Sequence, residues 1–271
     1  MPIALLKEYD VELRTAFRLQ GVKCGKHFAS KTAALHLLRD PVKIDIKLVL
    51  NDLLAKFDAR QRRYWNTHGV RPAGLSNWTL RQVEEISEDN TSPEVILERR
   101  IVRTLGKDWS NMIPVASGTY TEKRLGRASI DLAKVGGSTV EFLELKIGSD
   151  NPFYAAMEIA AYALMWIQAR ADADDPNHFG YRKDGKRRPA LEYDHVRWTV
   201  LAPQTTGDFQ CFYDNRYALT PFESALAGGL NAVAQGRLGT QVSMAFSFQR
   251  FDYERWLPSD EVLRDVLNQR T

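Results

Sequence analysis

Two acids and a lysine stand close together near the middle of this 271-residue chain. Asp131 lies in one run of aliphatic and β-branched residues, and Glu144 and Lys146 lie in the next. Gly136-Gly137 separates the runs and can supply the positive φ values of a two-residue turn, so the pattern predicts a β-hairpin. Carboxylates and an amine that meet on one hairpin could hold a divalent cation and activate a water molecule.

The pairing of the two runs decides whether these groups meet. If Val135 pairs with Ser138, Asp131 lies opposite Phe142 and diagonally from Glu144, at about 7–8 Å. Two carboxylates reaching inward over that distance could close around one cation. Because side chains alternate along a strand, Asp131 shares its face with every second residue of the other run. These residues are Val140, Phe142, Glu144 and Lys146.

Buried carboxylates need a compensating charge, because an unpaired one loses several kcal/mol of solvation. A divalent cation would provide that charge. Only oxygen ligands are close in the sequence, which favours Mg²⁺ or Mn²⁺ over zinc. The alternative is a surface hairpin in which Glu144 and Lys146 are solvated and Asp131 is an acid near the turn. The hairpin alone does not decide between the two interpretations.

The spacing of these residues resembles a known family. Ile130-Asp131, then twelve residues, then Glu144-Leu145-Lys146 is similar to the core of the PD-(D/E)XK nuclease superfamily. The resemblance implies a restriction-endonuclease-like α/β fold, with a central mixed β-sheet flanked by helices. It further implies that Asp131, Glu144 and the carbonyl of Leu145 bind Mg²⁺ or Mn²⁺, and that Lys146 orients the attacking water.

A helix is predicted upstream of the hairpin. Ser92 is a suitable N-cap, Pro93 suits the first helical position, and Gly106 would end the apolar stripe between them. Members of the superfamily carry an acid on this helix that approaches the metal directly or through water. Glu98 is favoured for that role because it lies deeper in the helix, and Glu94 is expected to be a solvated acid near the positive end of the helix dipole. The choice between the two stays open.

A second helix is predicted downstream, from Asn151-Pro152 to about Arg170. Glu158 and Tyr162 lie one turn apart on it. In RecB-type members of the superfamily the corresponding helix carries a glutamine and a tyrosine in this relation, and here glutamate stands at the glutamine position. The alternative for Tyr162 is an amphipathic tyrosine of the core. With both flanks the resemblance extends over residues 92–169.

Basic residues favour nucleic acid as the partner. Lys123, Arg124 and Arg127 precede Asp131 closely and could clamp a phosphate beside the metal. Residues 1–75 hold fourteen Lys or Arg against seven Asp or Glu, within a chain whose net charge is only +3. A basic region of this kind suits a phosphate backbone, although solvated helices would look the same. DNA is favoured over RNA as the substrate.

The remaining pattern divides the chain into an N-terminal helical, basic subdomain (1–75) and a nuclease-like α/β domain (76–271), with a loop at 72–77 between them. Residues 78–86 are ambiguous between helix and strand, and residues 172–192 read as a polar surface loop. Further helices are predicted from about residue 5 to Gly21 and over 30–39, 43–64 and 222–235, with a last one capped by Ser259. Further strands are predicted over 112–120, 195–201, 209–213 and 242–251.

Other function classes find little support. No apolar run is long enough for a membrane span and the first residues do not resemble a signal peptide, so a cytoplasmic protein is expected. Two distant cysteines, Cys24 and Cys211, argue against structural zinc. The prediction is therefore a metal-dependent nuclease, and the resemblance allows a homodimer. The alternative is a catalytically inactive nuclease-fold protein that serves as a nucleic-acid-binding or assembly module.

Overall fold

The computed structural model describes residues 45–68, 76–116, 129–147, 152–174, 182–183, 186–203 and 219–251, together with 263, 265 and 267. Several predictions lie outside these residues and stay predictions. They are the helices before residue 45, the strand over 209–213, the cap at Ser259 and the basic residues Lys123, Arg124 and Arg127.

The described elements alternate between helix and strand and are numbered here in chain order. The helices are α1 (Ile46–His68), α2 (Pro93–Leu105), α3 (Pro152–Asp174) and α4 (Leu219–Leu238). The strands are β1 (Trp109–Pro114), β2 (Ser129–Gly136), β3 (Thr139–Leu145), β4 (Arg182–Lys183), β5 (Lys186–Arg187), β6 (His195–Pro203) and β7 (Ser243–Phe251). A 3₁₀ turn spans Pro189–Leu191. Apart from the ambiguous segment 78–86, these bounds confirm each helix and strand predicted within the described residues, with ends that differ by a few residues.

Five strands form one mixed sheet in the order β1-β2-β3-β6-β7. The β1, β2 and β3 strands pair antiparallel, whereas β3, β6 and β7 pair parallel. Parallel strands need helical crossovers, and α3 and α4 supply them. The predicted α/β architecture, a mixed sheet flanked by helices, is therefore confirmed.

Helices cover both faces of this sheet. On one face α3 packs over β3 and β6, where the rings of Phe142 and Trp198 stack at 4.7 Å between centroids, α4 packs on β7, and α1 packs against α3 and α4. On the other face α2 packs Leu97 and Ile101 against Leu143. The β3 strand is therefore buried from both sides, and its apolar residues alternate with two buried acids, Glu141 and Glu144.

The α2 helix begins and ends close to where its sequence predicts. Pro93 occupies the first position, and Gly106 ends the helix with a φ of 78°, which favours glycine. Ser92 holds the N-cap position without making a side-chain hydrogen bond to the first turn. The apolar stripe therefore fixes the helix on the sheet more than its cap does.

The register of the central hairpin differs from the prediction. Gly136 pairs with Thr139, so the turn consists of Gly137 and Ser138. Of the two glycines only Gly137 has a positive φ, 57°, and Gly136 remains in the strand. Leu132 pairs with Leu143, and the same register continued by one residue sets Asp131 opposite Glu144 rather than opposite Phe142.

Three further segments differ from the prediction. Residues 79–87 form neither helix nor strand but run extended beside β1, where Asn111 N donates to Arg81 O at 2.9 Å. The first core strand begins at Trp109, three residues before the predicted start. The predicted loop over 172–192 is wrong in part, because α3 continues to Asp174 and Leu191 of the 3₁₀ turn is fully buried.

The α1 helix belongs to the same core as the sheet. Leu50, Leu53 and Phe57 are buried in the cluster that also contains residues of α3 and α4. Gly229 of α4 lets the helices approach closely, since a Cβ there would lie 2.9 Å from Ile46 Cγ2. The proposed division near residue 75 stays a prediction for the part before residue 45.

Candidate active site

Asp131 lies where the β1–β2 ladder is interrupted. The ladder pairs Asn111 with Leu132 and Ile113 with Ile130, on either side of Met112 and Asp131. Met112 has a φ of 50°, which is uncommon for a residue with a side chain. Asp131 is half-buried, and its Oδ2 accepts a hydrogen bond from the backbone N–H of Leu145 at 2.8 Å. Its carboxylate is thus directed to the end of β3, where Glu144 and Lys146 lie.

Lys146 is buried among carboxylates at that end of β3. Its Nζ lies 2.7 Å from Glu144 Oε1 and 3.3 Å from Glu158 Oε2. All three side chains are at most 6% exposed. A lysine is rarely buried so deeply unless it is paired, and these two contacts provide the pairing.

The first turns of α3 bring Glu158 and Tyr162 to the same place. Tyr162 OH donates to Glu158 Oε1 at 3.3 Å, while the other oxygen of Glu158 faces Lys146. Glu158 therefore points into the protein and connects the helix to the ammonium group. Sequence reasoning placed Glu158 near the site but missed this pairing.

Both acids of α2 reach the site, which corrects the expectation for Glu94. Rather than being solvated, Glu94 is half-buried, and its Oε1 accepts a hydrogen bond from Ile147 N at 2.8 Å. Glu98 is 5% exposed, bonds to the side chain of Asn111 and lies 3.8 Å from Arg99 Nε. We call Glu94, Glu98, Asp131, Glu144 and Glu158 the carboxylate cluster.

The crowding of acids changes their proton affinity. Burial raises the pKa of Glu98 to about 8, and the charge of Asp131 adds to the effect. Burial also raises the pKa of Asp131 to about 7, although Lys146 and the N–H of Leu145 oppose the rise. Near neutral pH both carboxyls are therefore more protonated than free carboxyls, Glu98 more so than Asp131.

The pKa values of Lys146, Glu144 and Tyr162 are raised as well. Burial tends to lower the pKa of Lys146, but Glu144 and Glu158 outweigh it, so the pKa rises well above its ordinary value. Burial and then Asp131 and Glu158 raise the pKa of Glu144, against the effect of Lys146. Burial and the charge of Glu158 also raise the pKa of Tyr162, which stays a hydrogen-bond donor.

The donor atoms fit a hard divalent cation. Glu144 Oε2 and Glu98 Oε1 are buried and accept no hydrogen bond from any described residue. Carboxylate oxygens are the ligands that Mg²⁺ and Mn²⁺ prefer. Over the described ranges, however, no three His, Cys, Asp or Glu side chains are arranged to hold a metal, and the ammonium group of Lys146 lies among the acids instead. The set implied by the resemblance needs only two carboxylates, of Asp131 and Glu144, and the carbonyl of Leu145.

Arg81, Arg99 and Asn111 also surround the site, and sequence reasoning missed all three. Asn111 bonds to Glu98, Arg99 pairs with it, and the charge of Arg81 acts on it. Arg81 lies in an extended segment without a periodic pattern, so no sequence signal connects it with Asp131. For Arg99, its position next to Glu98 on the helix was the available signal.

Comparisons with protein-family models, with curated proteins and with solved structures found no match to this chain. In the part of the chain that the structure describes, no helix combines the length and the apolar character needed to cross a membrane.

Proposed function

We propose that this chain is a metal-dependent nuclease that hydrolyses phosphodiester bonds in DNA, on a restriction-endonuclease-like core of the PD-(D/E)XK type. The observation that carries the proposal is the burial of Lys146 between Glu144 and Glu158, with Asp131 in register opposite Glu144. A buried ammonium group among carboxylates suits a site that must bind both a cation and an anion.

The order of the elements supports the same core. The α2 helix brings its acids to the open end of the β2–β3 hairpin, opposite the turn. The α3 helix, which follows the hairpin, brings Glu158 and Tyr162 to the same end. Strand β6 then pairs parallel with β3. This is the order that the resemblance implies, an acid-bearing helix, a hairpin with the motif and a helix with the tyrosine.

Asp131, Glu144 and the carbonyl of Leu145 would hold Mg²⁺ or Mn²⁺, with Glu98 in support. The cation, when bound, polarises the phosphodiester and lowers the pKa of water. Glu144 Oε2 is free of hydrogen bonds among the described residues and so remains available as a ligand. Binding would also favour the charged form of Asp131, whose pKa is raised by burial and, to a smaller extent, by the charges of Glu94 and Glu158.

Lys146 has two tasks in this proposal. Its raised pKa keeps it protonated, so it can orient the attacking water and offset the negative charge that develops on the phosphoryl oxygens. Glu158 holds the ammonium group, and Tyr162 in turn holds Glu158. In-line attack of water forms a new P–O bond and breaks the bond from phosphorus to the 3′ oxygen, without a covalent enzyme intermediate.

A second candidate function is an inactive nuclease-fold protein that binds nucleic acid or assembles with partners. The ion pairs of Lys146 favour it, because they compensate Glu144 and Glu158 without any metal. A site of this kind could be kept as a structural network.

A cleavage assay separates the two candidates. Plasmid and linear DNA are incubated with the purified chain in Mg²⁺, in Mn²⁺ or in EDTA. We expect metal-dependent cleavage that Lys146→Ala and Asp131→Ala abolish. Lys134→Ala, which removes a half-exposed lysine over the Trp109 ring from the same strand as Asp131, should leave cleavage unchanged. Undiminished cleavage by both site variants would refute the proposal, and binding without cleavage in any divalent metal would support the second candidate.

A further inference from the structure

Arg81 is held beside the candidate site by its own backbone. Asn111 N donates to Arg81 O at 2.9 Å. The side chain of Asn111 also bonds to the backbone of Val83, two residues after Arg81. Its Oδ1 accepts from Val83 N at 2.8 Å, and its Nδ2 donates to Val83 O at 2.9 Å. Asn111 is fully buried, so this part of the extended segment cannot shift without breaking buried hydrogen bonds.

The side chain of Arg81 is anchored as well. Its Nε donates to Met112 O at 3.1 Å, and Met112 lies across from Asp131 at the interruption of the β1–β2 ladder. Arg99 also contacts this residue, since its Nη2 donates to Met112 Sδ at 2.9 Å. A guanidinium group held through Nε keeps its two terminal nitrogens in a fixed plane, which is the geometry that binds a phosphate with two hydrogen bonds.

Arg81 differs from the other cations around the carboxylate cluster in its exposure to solvent and in its lack of an ion pair among the described residues. Lys146 is buried between two acids, and Arg99 is mostly buried, paired with Glu98 and bonded to Glu85 O. Arg81 is exposed, and its terminal nitrogens donate no hydrogen bond within the described ranges. The cluster holds more acids than bases and would repel a polyanion, so a cation that is accessible to the solvent is needed at its edge.

We infer that Arg81 binds a backbone phosphate of the nucleic acid a few nucleotides from the phosphate that is cut, an inference that rests on the proposed function. Neighbouring strands are about 4.8 Å apart, so a group bonded to Met112 O lies roughly two strand spacings from Asp131. Successive phosphates of one strand rise by about 3.4 Å, so a separation of two strand spacings corresponds to about three nucleotides. Arg81 therefore positions the strand while Lys146 and the carboxylates act on the scissile bond.

The test measures DNA binding as a function of salt, with EDTA present so that no cleavage occurs. A fluorescent DNA duplex is titrated with the wild-type chain, with Arg81→Gln and with Arg237→Gln as the matched control. Arg237 is also an exposed arginine; it lies in the last turn of α4, which leads into the start of β7 at the opposite end of the sheet. We expect Arg81→Gln to weaken binding about tenfold and to reduce the slope of log K against log salt by about 0.9, as for one lost phosphate contact.

The salt slope also separates binding from a structural role. If Arg81 only held Met112 in place, Arg81→Gln would lower the free energy of unfolding and leave the slope unchanged, which would overturn the inference. Equal slopes for Arg81→Gln and Arg237→Gln, or no DNA binding by the wild-type chain, would do the same. Reduced slope and affinity in Arg81→Gln, alongside a wild-type chain that cuts no DNA in any metal, would leave this phosphate contact standing and refute the proposed nuclease.

Discussion

Replacing Glu98 by glutamine should make the protein more stable at alkaline pH. Glu98 is buried and its pKa is about 8 in the folded chain, against an ordinary value of 4.5. Between these values the unfolded chain has lost the proton that the folded chain keeps. The folded state then binds more protons, so the free energy of unfolding contributed by this group falls as the pH rises toward 8.

The magnitude follows from the difference between the two pKa values. At about 1.4 kcal/mol for each pKa unit, moving from 4.5 to about 8 corresponds to an upper bound of roughly 5 kcal/mol. Glutamine keeps the shape and the bond to Asn111 but gives up the ion pair with Arg99, so we expect a net gain of about 2 kcal/mol near pH 9. Near pH 5 the wild-type carboxyl is protonated, and we expect a difference of less than about 0.5 kcal/mol.

Urea unfolding of both chains at acidic, neutral and alkaline pH measures this difference. Glu88→Gln serves as the control, because Glu88 is an exposed acid in the segment before α2. The effect of Glu88→Gln on the free energy of unfolding should not increase between pH 5 and pH 9 as that of Glu98→Gln does. If Glu98→Gln were no more stable than the wild type near pH 9, or lost stability as the pH rose, the raised pKa of the buried Glu98 carboxyl would be refuted.

Three further changes test the site and the packing around it. Mg²⁺ should raise the Tm in differential scanning fluorimetry, and Asp131→Ala should remove this rise. The rise should be larger above pH 8 than near pH 6, because the carboxyls must lose their protons to bind the cation. Tyr162→Phe removes the donor to Glu158 and should slow metal-dependent cleavage about tenfold with little change in Tm, whereas an equal rate would exclude a role for this bond. Gly228→Ala, at a helix position with open space, should raise the free energy of unfolding in urea by about 0.5–1 kcal/mol. Gly229→Ala, whose Cβ would lie 2.9 Å from Ile46 Cγ2, should have a free energy of unfolding at least about 1 kcal/mol lower than that of Gly228→Ala.

The local pattern predicted the elements that position the candidate site. The apolar stripe and Gly106 located α2, and the apolar face after Pro152 located α3. The hairpin was predicted correctly, but its register was not, because either of two adjacent glycines could supply the positive φ and only packing selects Gly137. That shift of one turn residue changes Asp131 from a diagonal neighbour of Glu144 to its direct partner.

Contacts between distant parts of the chain could not be predicted in this way. The bond from Ile147 N to Glu94 joins residues more than fifty positions apart, and a helical pattern shows only that Glu94 is near a helix start. The pairing of Lys146 with Glu158 likewise depends on how α3 returns over β3. Arg81 lies in a segment whose conformation is set by the buried side chain of Asn111 rather than by its own residues.

The packing of α1 limits how the protein can be shortened. A fragment that begins at residue 76, the boundary predicted from the loop at 72–77, would lose Leu50, Leu53 and Phe57, which are buried in the same core as residues of α3 and α4. At about 2 kcal/mol for each large apolar side chain taken out of the core, their loss approaches the whole stability of a typical domain. Attempts to isolate the part that holds the candidate site should therefore retain the chain from residue 45 onward, and a fragment lacking α1 is expected to aggregate through its uncovered helices.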